Sequence, residues 1–236
     1  VITNVRYGGG PLEVVYNGTT IGPIDGVQTL VPGVYNGGIK LSSGTYDMLP
    51  GIYIMDGGGF EITGEAITGI GVMIYNTNTT GKKNNWQHVK VGDNVQVTLK
   101  APSTGYYKGI LFFNDRDMPD YQPGAMVLGT SSSTLEGVLY FPSVHLKFAG
   151  TSETGAWTIL IANTLAVNGT ADVYVHPSGL YEWDVCAPAA VAAAAGMDVS
   201  GLDGSVLVYN KARPVVPGLL VTRPELTRAV HEALRW

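Results

Sequence analysis

"PGVYNGGIKLSSGTYDMLPGIYIMDGGGFEITG", residues 32–64, contains nearly the same phrase twice. The letters PGVY at 32–35 return as PGIY at 50–53, eighteen residues further along the chain. Each copy is followed by glycines and then by a short alternation of apolar and polar residues, at 39–41 and at 60–62. Because internal repetition decides the whole architecture of a chain, it is the first feature to interpret.

The repetition continues beyond this stretch as three columns of short apolar segments. Segments of the first column mostly begin with glycine and an aliphatic residue, whereas those of the second column read apolar-x-apolar, and the third column is weaker. The first column comprises residues 33–35, 51–53, 71–75, 109–113, 137–141 and 158–161; the second comprises 39–41, 60–62, 89–91, 126–128, 146–148 and 165–167; the third comprises 46–48, 95–97 and 173–175.

These columns predict a stacked arrangement of strands. Alternation with a period of two is typical of half-buried strands. Three such strands that end at glycine or turn residues, and then return, describe one coil of a parallel β-helix whose neighbouring coils pair at about 4.8 Å. We therefore predict an all-β fold, a right-handed parallel β-helix (solenoid) of about six coils with a short C-terminal capping helix. An antiparallel β-sandwich or jelly roll is the alternative.

The position of each residue within its segment also predicts which side chains face the core. We expect an inward stack, one residue above another in successive coils, that includes Val34, Val72, Ile110, Val138 and Ile159. Tyr53 or Ile52 would occupy the same column.

The spacing of the segments predicts two domains. Residues 1–175 form the β-helix, with inserted loops at 76–87 and 115–124, and residues 176–236 form a C-terminal extension with an alanine-rich linker and the capping helix. The letters TRPE at 222–225 have the pattern of a capping box at a helix start. One face of that helix carries Leu226, Ala229, Val230, Ala233 and Leu234.

Composition excludes several classes of function. The chain has 236 residues, a net charge of −5 and 14 Lys and Arg without a basic run, which argues against nucleic acid as a partner. The single cysteine, Cys186, excludes an internal disulfide framework and a cysteine-rich zinc site. The most apolar stretch, at 187–197, is too short to span a bilayer, and we interpret it as an alanine-rich linker or a short helix. We expect any signal or membrane anchor to have been removed or to lie upstream of this sequence.

Several phrases together resemble a known family. GIGVMIYNT at 69–77, APSTGYYKGILFFNDRD at 101–117 and SSSTLEGVLYFPSVHLKFAG at 131–150, with the two PGVY-like phrases, are similar to the C-terminal region of TadG-like proteins of the Flp (tight-adherence) pilus locus. The resemblance covers about residues 32–170. It implies an exported protein of the cell envelope or surface, with an upstream membrane anchor and a role in pilus assembly or adhesion. It supplies no catalytic residues.

Motifs for catalysis, metal binding or cofactor binding are not found. The four histidines lie far apart and lack ligand spacing, and no G-x-S-x-G phrase occurs. Cys186 has no histidine close in sequence, so we interpret it as a buried structural thiol. The glycine-rich phrase at 7–11 lacks the strand, helix and lysine of a phosphate loop, and we interpret it as a turn. We therefore expect no catalytic residue, no metal and no cofactor.

One dense polar cluster follows the strand at 110–113, and aromatic residues lie near it. Carboxylates with a basic residue suit the cleavage of acidic polysaccharides, often with Ca²⁺, but alternation along a strand turns Arg116 away from Asp115 and Asp117. Pairing among these charges at a loop exit is the structural interpretation, and contact with a ligand or partner is the other. The candidate binding residues are Trp86, Tyr106, Tyr107, Asp115, Arg116, Asp117, Asp120 and Tyr121.

These observations predict a non-catalytic structural or adhesive module at the cell surface, associated with a pilus or the envelope. A carbohydrate-binding or polysaccharide-cleaving protein on a β-helix scaffold and a self-stacking filament subunit are the alternatives. The expected partners are a surface glycan or protein, or pilus and envelope components, with homo-oligomerisation through the coil ends. The expected location is exported: cell surface, extracellular or periplasmic.

Overall fold

Strands dominate the protein, and helices occur near its C-terminus. The computed structural model describes residues 2–6, 14–16, 19–21, 27–79, 85–120, 123–130, 132–149, 157–167, 172–177 and 179–234. Tyr121 and parts of both predicted loops lie outside the described residues. The strands are β1 (Ile2–Arg6), β2 (Val14–Tyr16), β3 (Thr19–Ile21), β4 (Gln28–Leu30), β5 (Gly33–Leu41), β6 (Thr45–Met48), β7 (Gly51–Asp56), β8 (Phe60–Ile62), β9 (Ala66–Ile70), β10 (Val72–Thr77), β11 (Val89–Val91), β12 (Gln96–Lys100), β13 (Ile110–Asn114), β14 (Ala125–Val127), β15 (Thr134–Phe148), β16 (Thr158–Val167), β17 (Val173–His176), β18 (Leu180–Tyr181), β19 (Asp198–Ser200), β20 (Val215–Val216) and β21 (Leu219–Thr222), and the helices are α1 (Glu182–Ala194) and α2 (Thr227–Leu234).

Most of the strands pair in three parallel ladders. The first ladder runs through the first half of β5, then β7, β10, β13, β15, β16 and β17. The second runs through the second half of β5, then β8, β11, β14, β15 and β16. The third runs through β4, β6, β9, β12 and the start of β15. The antiparallel sandwich or jelly roll is therefore wrong for this part of the chain.

The core lies between the ladders and is built from residues in register. Tyr53 pairs with Ile74, Ile74 with Phe112, and the column continues through Leu139 to Leu160. All five side chains are buried. Phe112 contacts Phe60 and Phe141 through their rings, with centroids 6.1 and 6.2 Å apart, so the ladders pack on one another. Burial of these large side chains stabilises the stack by about 1.5–3 kcal/mol each.

The predicted inward set is one residue out of register at most positions. Val34, Ile110, Val138 and Ile159 are only half-buried, although Val72 is buried. In each of those four strands the following residue, for example Leu139 after Val138, is buried instead. Because side chains alternate between the two faces, a shift of one residue exchanges the whole inward and outward sets.

The C-terminal part pairs differently from the ladders. β17 pairs in parallel with β16 on one side but antiparallel with β21 on the other. β19 also pairs antiparallel with β21, and β18 pairs antiparallel with β20. Helix α1 covers the stretch predicted to be an alanine-rich linker, and its Val185 and Ala189 pack with Val216 and Leu219.

Helix α2 begins later than the capping box predicted. Thr222 ends β21 and is buried, and its hydroxyl forms a hydrogen bond of 2.6 Å with that of Thr227. Glu225 pairs instead with Arg223. Of the predicted apolar face, Leu226, Val230 and Leu234 pack against a cluster formed by Val173, Val175 and Leu220, whereas Ala229 and Ala233 are exposed.

The predicted fold class is wrong. The chain is not an all-β, right-handed β-helix that ends in a capping helix, because α1 is a core element of the C-terminal part and the pairing there is antiparallel. The arrangement is a mixed α/β one. Among the described residues, no helix is long and apolar enough to cross a membrane.

Candidate functional site

The polar cluster after β13 is held by hydrogen bonds to neighbouring strands. Asp115 Oδ2 accepts hydrogen bonds from the hydroxyls of Thr77 at 2.7 Å and Tyr75 at 3.2 Å. Asp115 Oδ1 accepts one from the Asp117 N–H at 3.0 Å. Partial burial by itself raises the pKa of Asp115, but these hydrogen bonds outweigh it and hold the pKa below its usual range. The carboxylate thus joins the loop after β13 to strand β10.

Arg116 and Asp120 also contact neighbouring strands rather than each other. Arg116 Nε donates a hydrogen bond of 2.7 Å to the Tyr140 hydroxyl, and its guanidinium carbon lies 5.7 Å from the centre of the Tyr140 ring. Asp120 accepts hydrogen bonds from the His145 N–H at 2.9 Å and from Asn163 Nδ2 at 3.2 Å. Ion pairing between Arg116 and the aspartates, as drawn from the sequence, is not among the contacts of the described residues.

The predicted aromatic binding residues do not form one surface. Trp86 is half-buried and packs against the core between the ladders. Tyr106 and Tyr107 are exposed and meet edge to face, with an interplanar angle of 83°. Tyr121 lies outside the described residues. The predicted binding role of this residue set therefore stays a prediction.

A second candidate site lies at the start of α1, where β18 leads into the helix. Glu182 is buried, and its carboxylate accepts hydrogen bonds from the backbone N–H groups of Asn210 at 2.6 Å and Lys211 at 3.3 Å. The Lys211 ammonium lies 3.6 Å from the same carboxylate and donates a hydrogen bond of 2.6 Å to the Val215 carbonyl. The Glu182 N–H donates to the Pro214 carbonyl at 3.0 Å. Glu182 thus fixes the loop 210–214 against the helix start.

The residues on either side of Glu182 point outward. Tyr181 and Trp183 are 53% and 62% exposed, and their rings are stacked with centroids 4.6 Å apart and planes only 5° apart. Asp184 is exposed in the first turn of α1. No hydrogen bond or ion pair of its carboxylate is found within the described part of the chain. A carboxylate at a helix start is stabilised by the helix dipole and is a group able to accept a proton or hold a cation.

A pocket of about 430 Å³ adjoins this site. Lys211, which pairs with Glu182, and Val216, which packs against α1, both line the pocket. Its other lining residues include Leu202, Asp203 and Val206. A second pocket, of about 290 Å³, lies on the ladders beside Lys90 and Asp93.

The residues that the structure describes do not assemble a metal centre. Within the described ranges, no three or more His, Cys, Asp or Glu side chains come together in a way that could hold a metal ion. Asp184 is the carboxylate at the α1 site that is free to contribute an oxygen ligand, and one ligand does not make a metal site.

Comparison with known proteins finds similarity in the C-terminal part of the chain. Residues 137–235 match the Inositol monophosphatase family. The 3'-phosphoadenosine 5'-phosphate phosphatases of Mycobacterium bovis and Mycobacterium tuberculosis are each 38% identical over 104 residues, which are 44% of this chain and 38% of the relative. The enzyme of the same name from Mycobacterium leprae is 47% identical over 69 residues, or 29% of this chain and 26% of the relative. The chain thus spans well under half of the length of these relatives.

These findings correct the assignment drawn from the sequence. The resemblance to TadG-like pilus proteins is contradicted, because the comparisons return inositol monophosphatase-type proteins instead. The matched segment overlaps the resemblance at residues 137–170, and residues 32–136 lie outside it. The predicted all-β β-helix is corrected for the same reason, since the inositol phosphatase type of fold is α/β and the match includes strands β15 and β16.

The predicted function changes as well. The relatives are named phosphatases, which contradicts a non-catalytic structural, adhesive or pilus-associated module and the expectation that the protein is not an enzyme. The alternatives, a carbohydrate-active protein on a β-helix and a filament subunit, are contradicted by the same finding.

The α1 site was not predicted from the sequence. Tyr181, Glu182, Trp183 and Asp184 received no role, and Cys186 was taken as buried although it is exposed. The available signal was the density of acidic and aromatic residues directly before an alanine-rich stretch, since Asp and Glu are favoured in the first turn of a helix.

Proposed function

We propose that the protein is a phosphatase that hydrolyses a phosphate monoester, and that the start of α1 contributes to its substrate site. The observation that carries this proposal is the match of residues 137–235 to the Inositol monophosphatase family, together with relatives named for the removal of phosphate from a nucleotide. Because the chain spans only part of those relatives, activity and substrate are inferences for the protein as a whole.

The geometry at α1 supports a role in phosphate chemistry. A phosphate monoester carries two negative charges, so its hydrolysis needs cationic or polar groups that neutralise charge and a group that orients the attacking water. Asp184 is an exposed carboxylate without a described partner, and Lys211 brings a cation to the same end of the helix. In the reaction a water oxygen bonds to phosphorus as the bond to the alcohol oxygen breaks. Asp184 accepts the proton that the attacking water loses and then releases it to solvent, and the leaving alcohol oxygen takes up a proton from solvent.

The proposal is tested by phosphate release from the purified full chain. The substrates are 3'-phosphoadenosine 5'-phosphate and inositol 1-phosphate, with Mg²⁺ supplied because phosphoryl transfer commonly uses it. We expect inorganic phosphate from at least one of the two. Asp184→Asn keeps the size of the side chain and removes its charge, and it should lower kcat by at least about tenfold, because general acid–base groups contribute about 10²–10⁴-fold.

The matched control is Glu232→Gln, which removes an exposed carboxylate on α2. This variant should release phosphate at the wild-type rate. If Asp184→Asn and the wild type release phosphate at equal rates, α1 does not contribute to the substrate site. If the wild type releases phosphate from neither substrate, the proposed activity is wrong.

Several expectations from the sequence stay predictions beside this proposal. They include the division of the chain at residue 175, where the sheet is continuous because β17 pairs with both β16 and β21. They also include the partners, namely a surface glycan or protein, envelope components or a second copy, and the exported location. Export would be tested by locating the protein in fractionated cells.

A further inference from the structure

The start of α1 has few restraints of its own. A helix start is usually fixed by a side chain that caps the free backbone N–H groups of the first turn. Tyr181 occupies the cap position of α1, and its side chain forms no capping hydrogen bond. Pro188 lies inside the helix and has no N–H, so the Asp184 carbonyl does not receive the hydrogen bond that residue 188 of a regular helix would donate. The helix itself therefore holds the turn that carries Asp184 only weakly.

Glu182 ties this first turn to another part of the chain. Its side chain is buried, although glutamate is rarely buried in proteins unless it is paired. Its carboxylate oxygens accept hydrogen bonds from the backbone N–H groups of Asn210 and Lys211. Its own N–H donates to the Pro214 carbonyl. These contacts attach the first turn of α1 to both ends of the loop 210–214.

The loop 210–214 is itself held in one conformation. Asn210 has a φ of +63° and is the one residue other than glycine with a positive φ among those that the structure describes. Such a backbone conformation persists where the surroundings hold it, and the Asn210 N–H is the group that Glu182 binds at 2.6 Å. Lys211 Nζ, which lies 3.6 Å from the Glu182 carboxylate, donates to the Val215 carbonyl at 2.6 Å. The loop is therefore a fixed anchor for the helix start.

Stability alone does not explain a buried carboxylate at this position. A buried ion pair is often no more stabilising than apolar side chains of similar volume, because both charges lose their water. The best attested use of such pairs is to fix one arrangement of the chain. Val185 and Ala189 already give α1 its apolar contacts with Val216 and Leu219. What Glu182 adds is a restraint on the first turn.

We propose that Glu182 is a positioning residue of the phosphatase, which holds Asp184 where its carboxylate can accept the proton of the attacking water. This inference rests on the proposed function, because it concerns the same site. Glu182 and Asp184 are two positions apart in one helical turn, so a shift of that turn moves the Asp184 carboxylate directly. A displacement of about 1 Å between reacting groups can lower a rate by about 100-fold.

The inference is tested by a double-mutant cycle on phosphate release by the full chain, with whichever of the two substrates named above the wild type hydrolyses. Glu182→Gln keeps the size of the side chain and one acceptor oxygen but removes the charge. It should lower kcat by at least about tenfold and change KM by less than about twofold, because the position of Asp184 matters for the chemical step. In the Asp184→Asn background the same change should not lower kcat further, since residues that act through one group are not additive.

The matched control is Asp172→Asn, which alters another buried carboxylate, bound to Arg223. This variant should unfold at a lower temperature but keep the wild-type kcat at temperatures where it is folded. An unchanged kcat in Glu182→Gln would overturn the proposal. A loss by the same factor in the wild-type and Asp184→Asn backgrounds would also overturn it, because Glu182 would then not act through Asp184. Glu182→Asp, which keeps the charge but shortens the side chain, repeats the cycle if Glu182→Gln does not fold.

Amide hydrogen exchange, followed by mass spectrometry, separates this inference from the proposed activity. Glu182→Gln should speed exchange both in the loop 210–214 and in the first turn of α1, whereas unchanged exchange would overturn the positioning role. If the wild type releases phosphate from neither substrate, the proposed activity is wrong, and the exchange rates then decide alone whether Glu182 holds the turn.

Discussion

Asp115 shows what a single carboxylate does in this structure. It accepts hydrogen bonds from two side-chain hydroxyls and one backbone N–H, and it lies where the chain leaves β13. A polysaccharide-cleaving site would need a carboxylate free to contact substrate, whereas this one is engaged by its neighbours. Its role is to join the loop after β13 to β10.

The first prediction concerns the pH dependence of this role. The pKa of Asp115 lies below its usual value of about 3.9 because the hydrogen bonds outweigh the effect of burial. A carboxyl group whose pKa is lowered on folding stabilises the protein at pH values above its unfolded pKa, and this stabilisation is lost as the pH falls through the folded pKa. Asp115→Asn should therefore lower the free energy of unfolding by about 1–2 kcal/mol at neutral pH.

The difference between the wild type and Asp115→Asn should shrink below about pH 4, as measured by urea unfolding at a series of pH values. A difference that stays constant from neutral pH to about pH 2.5 would mean that the charge of Asp115 makes no contribution.

The sequence shows which polar residues lie close together along the chain, but it did not predict their contacts. The cluster of Asp115, Arg116 and Asp117 was visible in the sequence, but β13 ends at Asn114, so strand alternation does not decide where these side chains lie. The partners Tyr75, Thr77 and Tyr140 lie on other strands, tens of positions away, and their approach depends on the register of pairing. A single sequence does not state that register.

At the scale of elements, tight glycine turns decide how the ladders connect. Gly38 and Gly58 have φ values of +73° and +71°, and they occupy successive turns that touch. A Cβ on Gly58 would lie 2.0 Å from the Gly37 carbonyl oxygen, and one on Gly38 would lie 2.1 Å from that of Gly59. Only glycine permits both the left-handed backbone and this approach.

The second prediction compares two glycines with similar backbone and different surroundings. Gly58→Ala should cost more than about 3 kcal/mol, because the left-handed conformation costs about 1–2 kcal/mol and the backbone contact must also be relieved. Gly105 has a φ of +86° but open space around its Cβ position, so Gly105→Ala should cost only about 1–2 kcal/mol. Chemical unfolding of both variants measures the difference. Equal losses of unfolding free energy in the two variants would show that the turns at Gly38 and Gly58 can move apart to accept a methyl group.

Most strand positions were predicted from the sequence, whereas the stretch that forms helix α1 was interpreted as either an alanine-rich linker or a short helix. The apolar-x-apolar pattern marks Phe60–Ile62 and Val89–Val91, which are strands β8 and β11. After its acidic first turn, helix α1 consists of alanine, valine, one cysteine and one proline, so no polar face runs along it. The 3.6-residue periodicity that identifies an amphipathic helix is therefore absent from its sequence.

At the scale of the whole molecule, one buried carboxylate joins the ladders to the C-terminal part. Asp172 accepts hydrogen bonds from the Thr158 N–H at 2.8 Å and from Arg223 Nη1 at 2.7 Å. Thr158 opens β16, and Arg223 follows β21, so the contact spans the change from parallel to antiparallel pairing. Arg223 also pairs with the exposed Glu225 at 2.7 Å.

The third prediction uses the two carboxylates that share Arg223. Asp172→Ala would leave a buried N–H and a guanidinium without their acceptor, and it should cost about 2–4 kcal/mol. Glu225→Gln should leave the unfolding midpoint unchanged, because an exposed ion pair contributes little. Differential scanning calorimetry compares the two variants. If Asp172→Ala unfolds at the same temperature as the wild type, the contacts of Asp172 with Thr158 and Arg223 do not contribute to stability.

The class of the protein was the least predictable property. The repeated segments before residue 176 are the strongest pattern in the sequence. They led to the prediction of a structural protein that is not an enzyme. The relation to phosphatases is carried by residues 137–235, where the α1 site depends on the short stretch 181–184. These four residues do not form a recognisable catalytic motif. Their candidate role was inferred from their position at the start of a helix and from the comparison with relatives.

The most direct test of phosphatase activity is the fate of one defined substrate. Adenosine 3',5'-bisphosphate is incubated with the purified full chain and followed by ³¹P nuclear magnetic resonance, which resolves its two phosphate groups and inorganic phosphate. We expect one ester resonance to decline as inorganic phosphate rises in equal amount, and we expect Asp184→Asn to slow both changes together. A spectrum of the wild-type reaction that remains unchanged, at a protein concentration where the chain is folded, would contradict this expectation.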